Sequence, residues 1–309
     1  MTRRADLVAA AGDSIAKGSK SFRFASQLFD EPTRERAWLL YAWCRACDDI
    51  TDGQTLGHDA TTPADPMARL DFVREKTAMA LAGEATGLVP FDALGQVAAE
   101  CAIHPALADH HLAGFARDAA GWQPQTQDDL LSYCYQVAGA VGVMMAQVMG
   151  VPAEDVDTLD RASDLGLAFQ LANIARDVID DARVGRCYLP RQWLAEVAIE
   201  QIDPDDPDQR ARLAPLAHRL ATLADRYRAS ARVGAARLPL RSRWAVLAAA
   251  RIYGRIAERA RAAGPRAWDR RIIVAKREKL RLVAWALGDA LLPPPAVERR
   301  GLWTRPSLA

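Results

Sequence analysis

Four aspartates on two predicted helices are the residues of this chain best suited to chemistry. In the segment 170–190, Gln170, Asn173, Asp177 and Asp181 recur at helical spacing and share one side of an α-helix, with Gly166 a turn earlier. Leu171, Ile174 and Val178 occupy another side. The stripe is polar where a helix of a large core should be apolar, and no basic residue lies on it beside Asp177 or Asp181. Carboxylates kept from water need a partner or a cation, so a metal ion is the first candidate. A second helix repeats the pattern. Tyr41, Arg45, Asp48 and Asp52 stand at i, i+4, i+7 and i+11, with Arg34 and Trp38 continuing the stripe and Asp49 to one side. Trp38, Leu39, Leu40, Trp43 and Cys44 surround this acid pair with apolar mass, which argues against a solvated surface cluster.

Magnesium prefers octahedral oxygen, keeps several waters and is usually held by one or two carboxylates together with substrate phosphate. Two facing aspartate clusters therefore describe a site completed by a diphosphate. Cations and arginines there would stabilise charge on a departing diphosphate and make ionisation of a carbon–oxygen bond feasible in a dry pocket. Neither the Walker glycine loop nor the dinucleotide fingerprint is present, which removes ordinary NTPases and nicotinamide-dependent dehydrogenases.

The elements that must position these residues are helices. Alanine, leucine and arginine dominate, no two-residue alternation is sustained, and the class is all-α. Helices are predicted over 5–17, from a Thr33 N-cap to about 52, and over 68–81, 91–102, 105–120 and 126–150. Further helices are predicted over 152–182, with Gly185 as the stop, and over 210–235, 241–263 and 271–292. Residues 53–66, rich in Gly, Thr, Asp and Pro, form a loop that could be a lid. Residues 1–292 read as one catalytic domain and 293–309 as an irregular, proline-rich tail.

Composition bounds the rest. In 309 residues, 50% hydrophobic, 40 basic side chains nearly balance 39 acidic ones, so no global field points to nucleic acid. The longest apolar runs are too short to span a bilayer and the N-terminus lacks a secretion signal, so the expectation is a cytoplasmic protein. Five cysteines form no disulfide framework, and the Cys44/Cys47 pair lacks a second pair to complete a zinc site. It reads as helix packing. The five histidines show no zinc-protease or di-iron spacing.

Several segments together resemble the bacterial phytoene synthases of the trans head-to-head prenyl synthase family, which includes squalene and dehydrosqualene synthases. These are Gly-Ser-Lys-Ser-Phe at 18–22, the stretches 40–52, 133–142 and 173–190, Leu-Pro-Leu-Arg-Ser-Arg-Trp-Ala at 238–245, Ile-Tyr at 252–253 and the closing Leu-Trp-Thr-Arg-Pro. The resemblance covers essentially the whole chain. It implies a single-domain isoprenoid-synthase-type helical bundle with a central cavity. It implies Mg²⁺, with Mn²⁺ as a substitute, on Asp48, Asp52, Asn173, Asp177 and Asp181. Ser19, Lys20, Ser21, Tyr41, Arg45, Gln170, Arg176 and Tyr253 become diphosphate-contacting or substrate-positioning residues, and Tyr133 a cavity tyrosine facing cationic intermediates. Arg186, Tyr188 and Lys276 are further candidates.

The implied reaction joins two geranylgeranyl diphosphates through a cyclopropylcarbinyl diphosphate to phytoene, with no NADPH. Downstream carotenoid enzymes are implied partners. Peripheral membrane contact is expected because substrate and product are lipids, with Trp303 and the apolar tail as contact points. Alternatives are a farnesyl-diphosphate-condensing enzyme of the same fold and a noncatalytic helical assembly factor. Small residues around Tyr133, Val137 and Ala140, with Gly139 and Gly142 nearby, read either as close helix packing or as room for a prenyl chain. One departure is Arg117, which stands where the family stretch usually has an apolar residue, and it puts local wall packing in question.

Overall fold

The computed structural model describes residues 3–18, 25–53, 65–294 and 296–308. Every regular element among them is helical, as the periodicity requires. In chain order these are α1 (Arg4–Gly18), α2 (Glu31–Asp52), α3 (Pro66–Leu81), α4 (Val89–Cys101) and α5 (Pro105–Ala119). Next, α6 (Gln127–Cys134) runs through a π-helical turn (Tyr135–Gly139) into α7 (Ala140–Val148). Then come α8 (Val156–Arg183), α9 (Arg191–Glu196), α10 (Pro207–Ala235), α11 (Leu240–Ala263), a 3₁₀ turn (Gly264–Trp268) and α12 (Lys276–Leu291). Ser19, Lys20, Ser21 and residues 54–64 of the loop read as a candidate lid or a plain surface connection lie outside the described residues.

The helices that carry the acids have defined ends. Asp30, rather than the expected Thr33, caps α2: its carboxylate accepts the Thr33 N–H at 3.0 Å, and Pro32 occupies the first turn. Gly53 adopts a left-handed φ of 63° immediately after Asp52 and stops the helix there. Asp155 caps α8, so this helix starts four residues later than expected. Gly185 (φ 75°) turns the chain after it, as predicted. Two elements escaped the sequence reading, α9 and the 3₁₀ turn, because six and five residues are too few to display a period. α12 begins at Lys276, not at 271, leaving Ile272 and Ile273 in a lead-in without regular structure.

α8 is the central helix and packs chiefly on α10, with α7 and α11 against its other sides. One apolar core gathers Leu171, Ile174 and Val178 of α8 with α6, α9 and α10, and a second gathers Leu39, Leu40 and Trp43 of α2 with α3, α4, α5 and α7. Where α7 and the π turn meet α8 the backbones touch. A Cβ on Gly142 would stand 2.5 Å from the Ala162 carbonyl oxygen, and one on Gly139 would stand 2.8 Å from Leu167 Cδ1. Of the two readings of these small residues, close helix packing is the one the contacts support at both glycines.

Residues 296–308 hold no helix or strand, yet they are firmly attached. Arg299 donates to both oxygens of Asp164 at 2.9 Å and to Asp160 at 3.2 Å. Arg305 pairs with Asp160 at 2.8 Å, and the Trp303 N–H donates to the Tyr227 hydroxyl at 3.2 Å.

Candidate active site

α2 and α8 do not pack on one another as neighbouring helices do. Their acidic ends are joined by Arg186, in the turn that follows α8. Its backbone N–H donates to the Asp181 carbonyl at 2.9 Å, and its guanidinium pairs with Asp52 at 2.6 and 3.4 Å. Asp52 of α2 is thereby tied to the end of α8, near Asp181, whose own charge Arg186 also steadies. The two clusters, far apart in sequence, are thereby linked through one arginine.

Each cluster carries its own arginine. On α2, the Arg45 guanidinium stands 3.4 Å from Asp48 and 3.8 Å from Asp49, and it lies over the Tyr41 ring at 5.9 Å. On α8, Arg176 clamps Asp177 with two hydrogen bonds, Nε to Oδ1 at 2.7 Å and Nη2 to Oδ2. Arg271 approaches Asp177 and Asp180 at 3.7 Å each. The stripe argument missed both bases because one is the adjacent residue and the other comes from the far lead-in to α12. Asn173 and Gln170 are half-buried on the same helix. Tyr253 of α11 stacks on Phe169 at 4.0 Å, and its hydroxyl is within electrostatic reach of both Arg176 and Tyr41. α11 thus closes the side of the site between the two acidic helices.

Arginine pairing does not relieve every acid. Burial pushes the Asp181 carboxyl up to about 7, with Asp177 adding repulsion. Burial also pushes Asp48 up to about 7, against the pull of Arg45 and with repulsion from Asp52, Asp49 and Asp118. Its side chain is 42% exposed, so water screens part of that repulsion. Among the described residues no three acidic, imidazole or thiol groups form a ready-made metal cage. The donors present, the carboxylates of Asp48, Asp52, Asp177 and Asp181 and the amide of Asn173, are hard oxygens. They fit a cation that takes one or two protein ligands and completes its shell elsewhere.

Tyr133 is buried, and its hydroxyl is committed to Asp118, at 3.0 and 2.9 Å. Tyr188 donates to the same carboxylate at 2.9 Å, and the two rings stack at 4.9 Å with planes 16° apart. Trp122 lies 5.7 Å from Tyr133. Asp118, from α5, therefore anchors an aromatic wall built from three separate segments. Burial raises its carboxyl to about 6 despite Arg186 and the two hydroxyls. Sequence reasoning gave Asp118 no role. The signal was a lone acid beside the out-of-place Arg117. That arginine stacks over Trp122 at 4.4 Å and donates to Ser132 at 3.2 Å, so it braces the wall from outside. Lys276 is exposed at the start of α12. Cys44 and Cys47 are free thiols pushed up by burial, as packing residues are.

The squalene/phytoene synthase family profile matches residues 15–280. The chain belongs to the squalene/phytoene synthase family. Squalene/phytoene synthases are prenyltransferases that act on a prenyl diphosphate and typically use a divalent metal. Among curated members, the chain is 48% identical to the 15-cis-phytoene synthase of Pantoea ananas over 95% of this chain and 96% of that one. It is 47% identical to the 15-cis-phytoene synthase of Paracoccus sp. strain N81106, over 97% and 98%. Among solved members, a dehydrosqualene synthase crystallised with a ligand superposes with a TM-score of 0.82 at 26% identity, covering 92% of this chain and 96% of that one. The squalene synthase HpnC from Alicyclobacillus acidocaldarius gives 0.72 at 23% identity, covering 84% and 95%, and speaks for the shared fold. The all-α isoprenoid-synthase architecture expected from sequence is the one observed. No described helix is long and apolar enough to cross a membrane.

Proposed function

We propose that this enzyme joins two molecules of geranylgeranyl diphosphate head to head and releases phytoene, with Mg²⁺ held by Asp48, Asp52, Asn173, Asp177 and Asp181. Phytoene synthase activity follows from the near full-length identity to curated phytoene synthases. The observation that carries the site assignment is the Arg186 bridge, which ties Asp52 of α2 to the turn that follows α8.

Bound Mg²⁺ would supply Lewis-acid stabilisation of a leaving diphosphate. The protein's own groups do the rest. Arg45, Arg176 and Arg186, which lie on carboxylates, are the bases free to exchange onto an incoming diphosphate. Their positive charge, close to Asp48, Asp177 and Asp52, offsets charge growing on the departing group. Tyr41 and Tyr253 line the same end and orient the diphosphate. The Tyr133 and Tyr188 rings, fixed by Asp118, present π-density to an allylic or cyclopropylcarbinyl cation while their hydroxyls are held away from it. A dry wall of this kind also keeps water from quenching the cation before the second prenyl chain attacks. Ser19, Lys20 and Ser21 are assigned to the diphosphate on the family resemblance alone.

The test is incubation of purified protein with Mg²⁺, without NADPH, with geranylgeranyl or farnesyl diphosphate separately, and identification of the hydrocarbon by mass. Phytoene from geranylgeranyl diphosphate is expected. Product from farnesyl diphosphate alone would replace this reading with a thirty-carbon synthase, and no product from either would remove the catalytic one.

A further inference from the structure

The outward face of α12 and its lead-in forms a surface that neither the core nor the active site uses. Ile273, Leu280, Trp285, Leu291 and Leu292 are exposed by 68, 49, 54, 67 and 64%. A single exposed leucine is ordinary, but five large apolar side chains, one a tryptophan, within residues 273–292 are not. At helical spacing Leu280, Arg281, Trp285 and Leu291 fall on one broad side, while Leu282, Val283, Ala286 and Ala290 are buried on the other.

The charges on this helix are sorted as sharply as its apolar groups. Both acids of α12 are turned inward. Glu278, 12% exposed, is held by Arg255 at 3.1 Å and Arg259 at 2.6 Å. Asp289, 13% exposed, is held by Arg251 at 2.5 Å and Arg232 at 3.4 Å. From residue 270 to 292 the side chains left exposed with charge are Arg270, Arg271, Lys276, Arg277 and Arg281, all positive. A face that is apolar with a tryptophan, ringed by arginine and lysine and stripped of acid, is complementary to an anionic lipid surface. Its basic end also reaches the active site, since Arg271 stands 3.7 Å from Asp177 and Asp180.

We propose that this face docks the enzyme on an anionic bilayer, with Trp285 and its apolar neighbours entering the interface and Arg277 and Arg281 meeting headgroups. The cleft then opens beside the lipid from which a prenyl diphosphate arrives and into which the hydrocarbon leaves. The choice of lipid over a protein partner rests on the prenyl-lipid reading of the active site. The docking surface differs from the sequence-based expectation. Trp303 is half-buried, 5.5 Å from the Tyr135 ring, and its backbone is pinned to Tyr227, so it belongs to the packing of the tail.

Sedimentation of the full chain with vesicles tests this. The protein is expected to bind phosphatidylcholine vesicles containing phosphatidylglycerol better than pure phosphatidylcholine, and to lose that preference in high salt. A Trp285→Ser/Leu291→Ser variant should lower the bound fraction about tenfold, and Arg277→Gln/Arg281→Gln should remove the preference for phosphatidylglycerol. Both variants should keep the wild-type melting temperature and the wild-type rate on substrate dispersed in detergent. Wild-type vesicle binding by the Trp285/Leu291 variant, or no binding by the wild type to either vesicle, would overturn the proposal. So would a wild-type dimer that these substitutions dissolve in the absence of vesicle binding, which would give the face to a second copy. Vesicle binding without phytoene formation would leave the docking face standing and remove the proposed function instead.

Discussion

α8 carries two pairs of aspartates at the same four-residue spacing, and their fates are opposite. Asp160 and Asp164, near its start, are 14 and 0% exposed and are saturated by Arg299, Arg305 and the Ser230 hydroxyl, at 2.6–3.2 Å. Asp177 and Asp181, near its end, lie half-buried beside the turn that carries Arg186. Asp177 is clamped by Arg176, while Asp181 has repulsion from its neighbours and a carboxyl raised to about 7. The first pair is a fastener for the C-terminal tail; the second is the one proposed to receive cation and diphosphate. Spacing alone does not separate the two roles. The count of bases brought from elsewhere in the chain does, and so does the access left to a ligand.

The largest effect should come from unfastening the first pair. Arg299→Ala leaves Asp164 buried without its partner, and should lower stability by about 3–5 kcal/mol in denaturant unfolding. The protein that remains folded should keep its Mg²⁺ requirement. An Arg299→Ala protein as stable as wild type would mean that the two pairs do not differ in kind.

Next in size is the second pair. Asp177→Asn should reduce turnover by roughly 10²–10³-fold, measured as phytoene released at saturating substrate. Its metal-free melt should fall only slightly, from loss of the Arg176 pair. Asp48→Asn should also abolish most turnover but leave the metal-free melt unchanged or raised, since it removes a charge that burial disfavours. A large loss of melting temperature with activity retained would make these acids structural.

A smaller effect is expected at Asp118. Asp118→Asn keeps the volume but loosens the two tyrosines, and should lower kcat by about tenfold with little change in KM. An unchanged kcat would mean that the wall holds itself in place.

The smallest effect is a pH dependence of the metal-free protein. Asp48 and Asp181 have carboxyls raised to about 7, above their ordinary value of 3.8, so the folded state holds their protons longer than the unfolded state. Their contribution to stability is fully present below about pH 4 and is lost as pH rises through about 7. Buried His111 runs the other way. Its ring is held down to about 4, so its contribution is present above about 6.5 and is lost as pH falls toward 4. Thermal melts should therefore decline between pH 6.5 and 8, and the decline should flatten in Asp48→Asn/Asp181→Asn. Added Mg²⁺ with inorganic diphosphate should raise the melt more at pH 8 than at pH 6.

Much of the fold and part of the site were legible in the sequence, for identifiable reasons. Long helices announce themselves by period, and Asp48, Asp52, Asp177 and Asp181 stood out because acids on an otherwise apolar helix need a cause. What could not be read was partnership over distance. Arg271 meets Asp177 across 94 positions of chain, and Arg299 meets Asp164 across 135. No local pattern encodes either. Asp118 was passed over because its meaning lies in two tyrosine hydroxyls supplied by other segments. The Thr33 cap was misplaced because Asp30 and Thr33 both suit the position, and only the hydrogen bond decides between them.

The π turn between α6 and α7 sets an angular phase. The Ala140 N–H bonds to the Tyr135 carbonyl, five residues back, so the turn holds one residue more than an α-helix would. Upstream of it, Tyr133 is aimed at Asp118. Downstream, Gly142 lies flush against the Ala162 carbonyl of α8. Removing one residue from 135–139 would leave a smooth, well-bonded helix in which these two ends are rotated about 100° relative to each other. The tyrosine and the glycine could then not both meet their partners. The spare residue acts as a gear tooth, meshing the aromatic wall of Tyr133 with the helix that carries the acids.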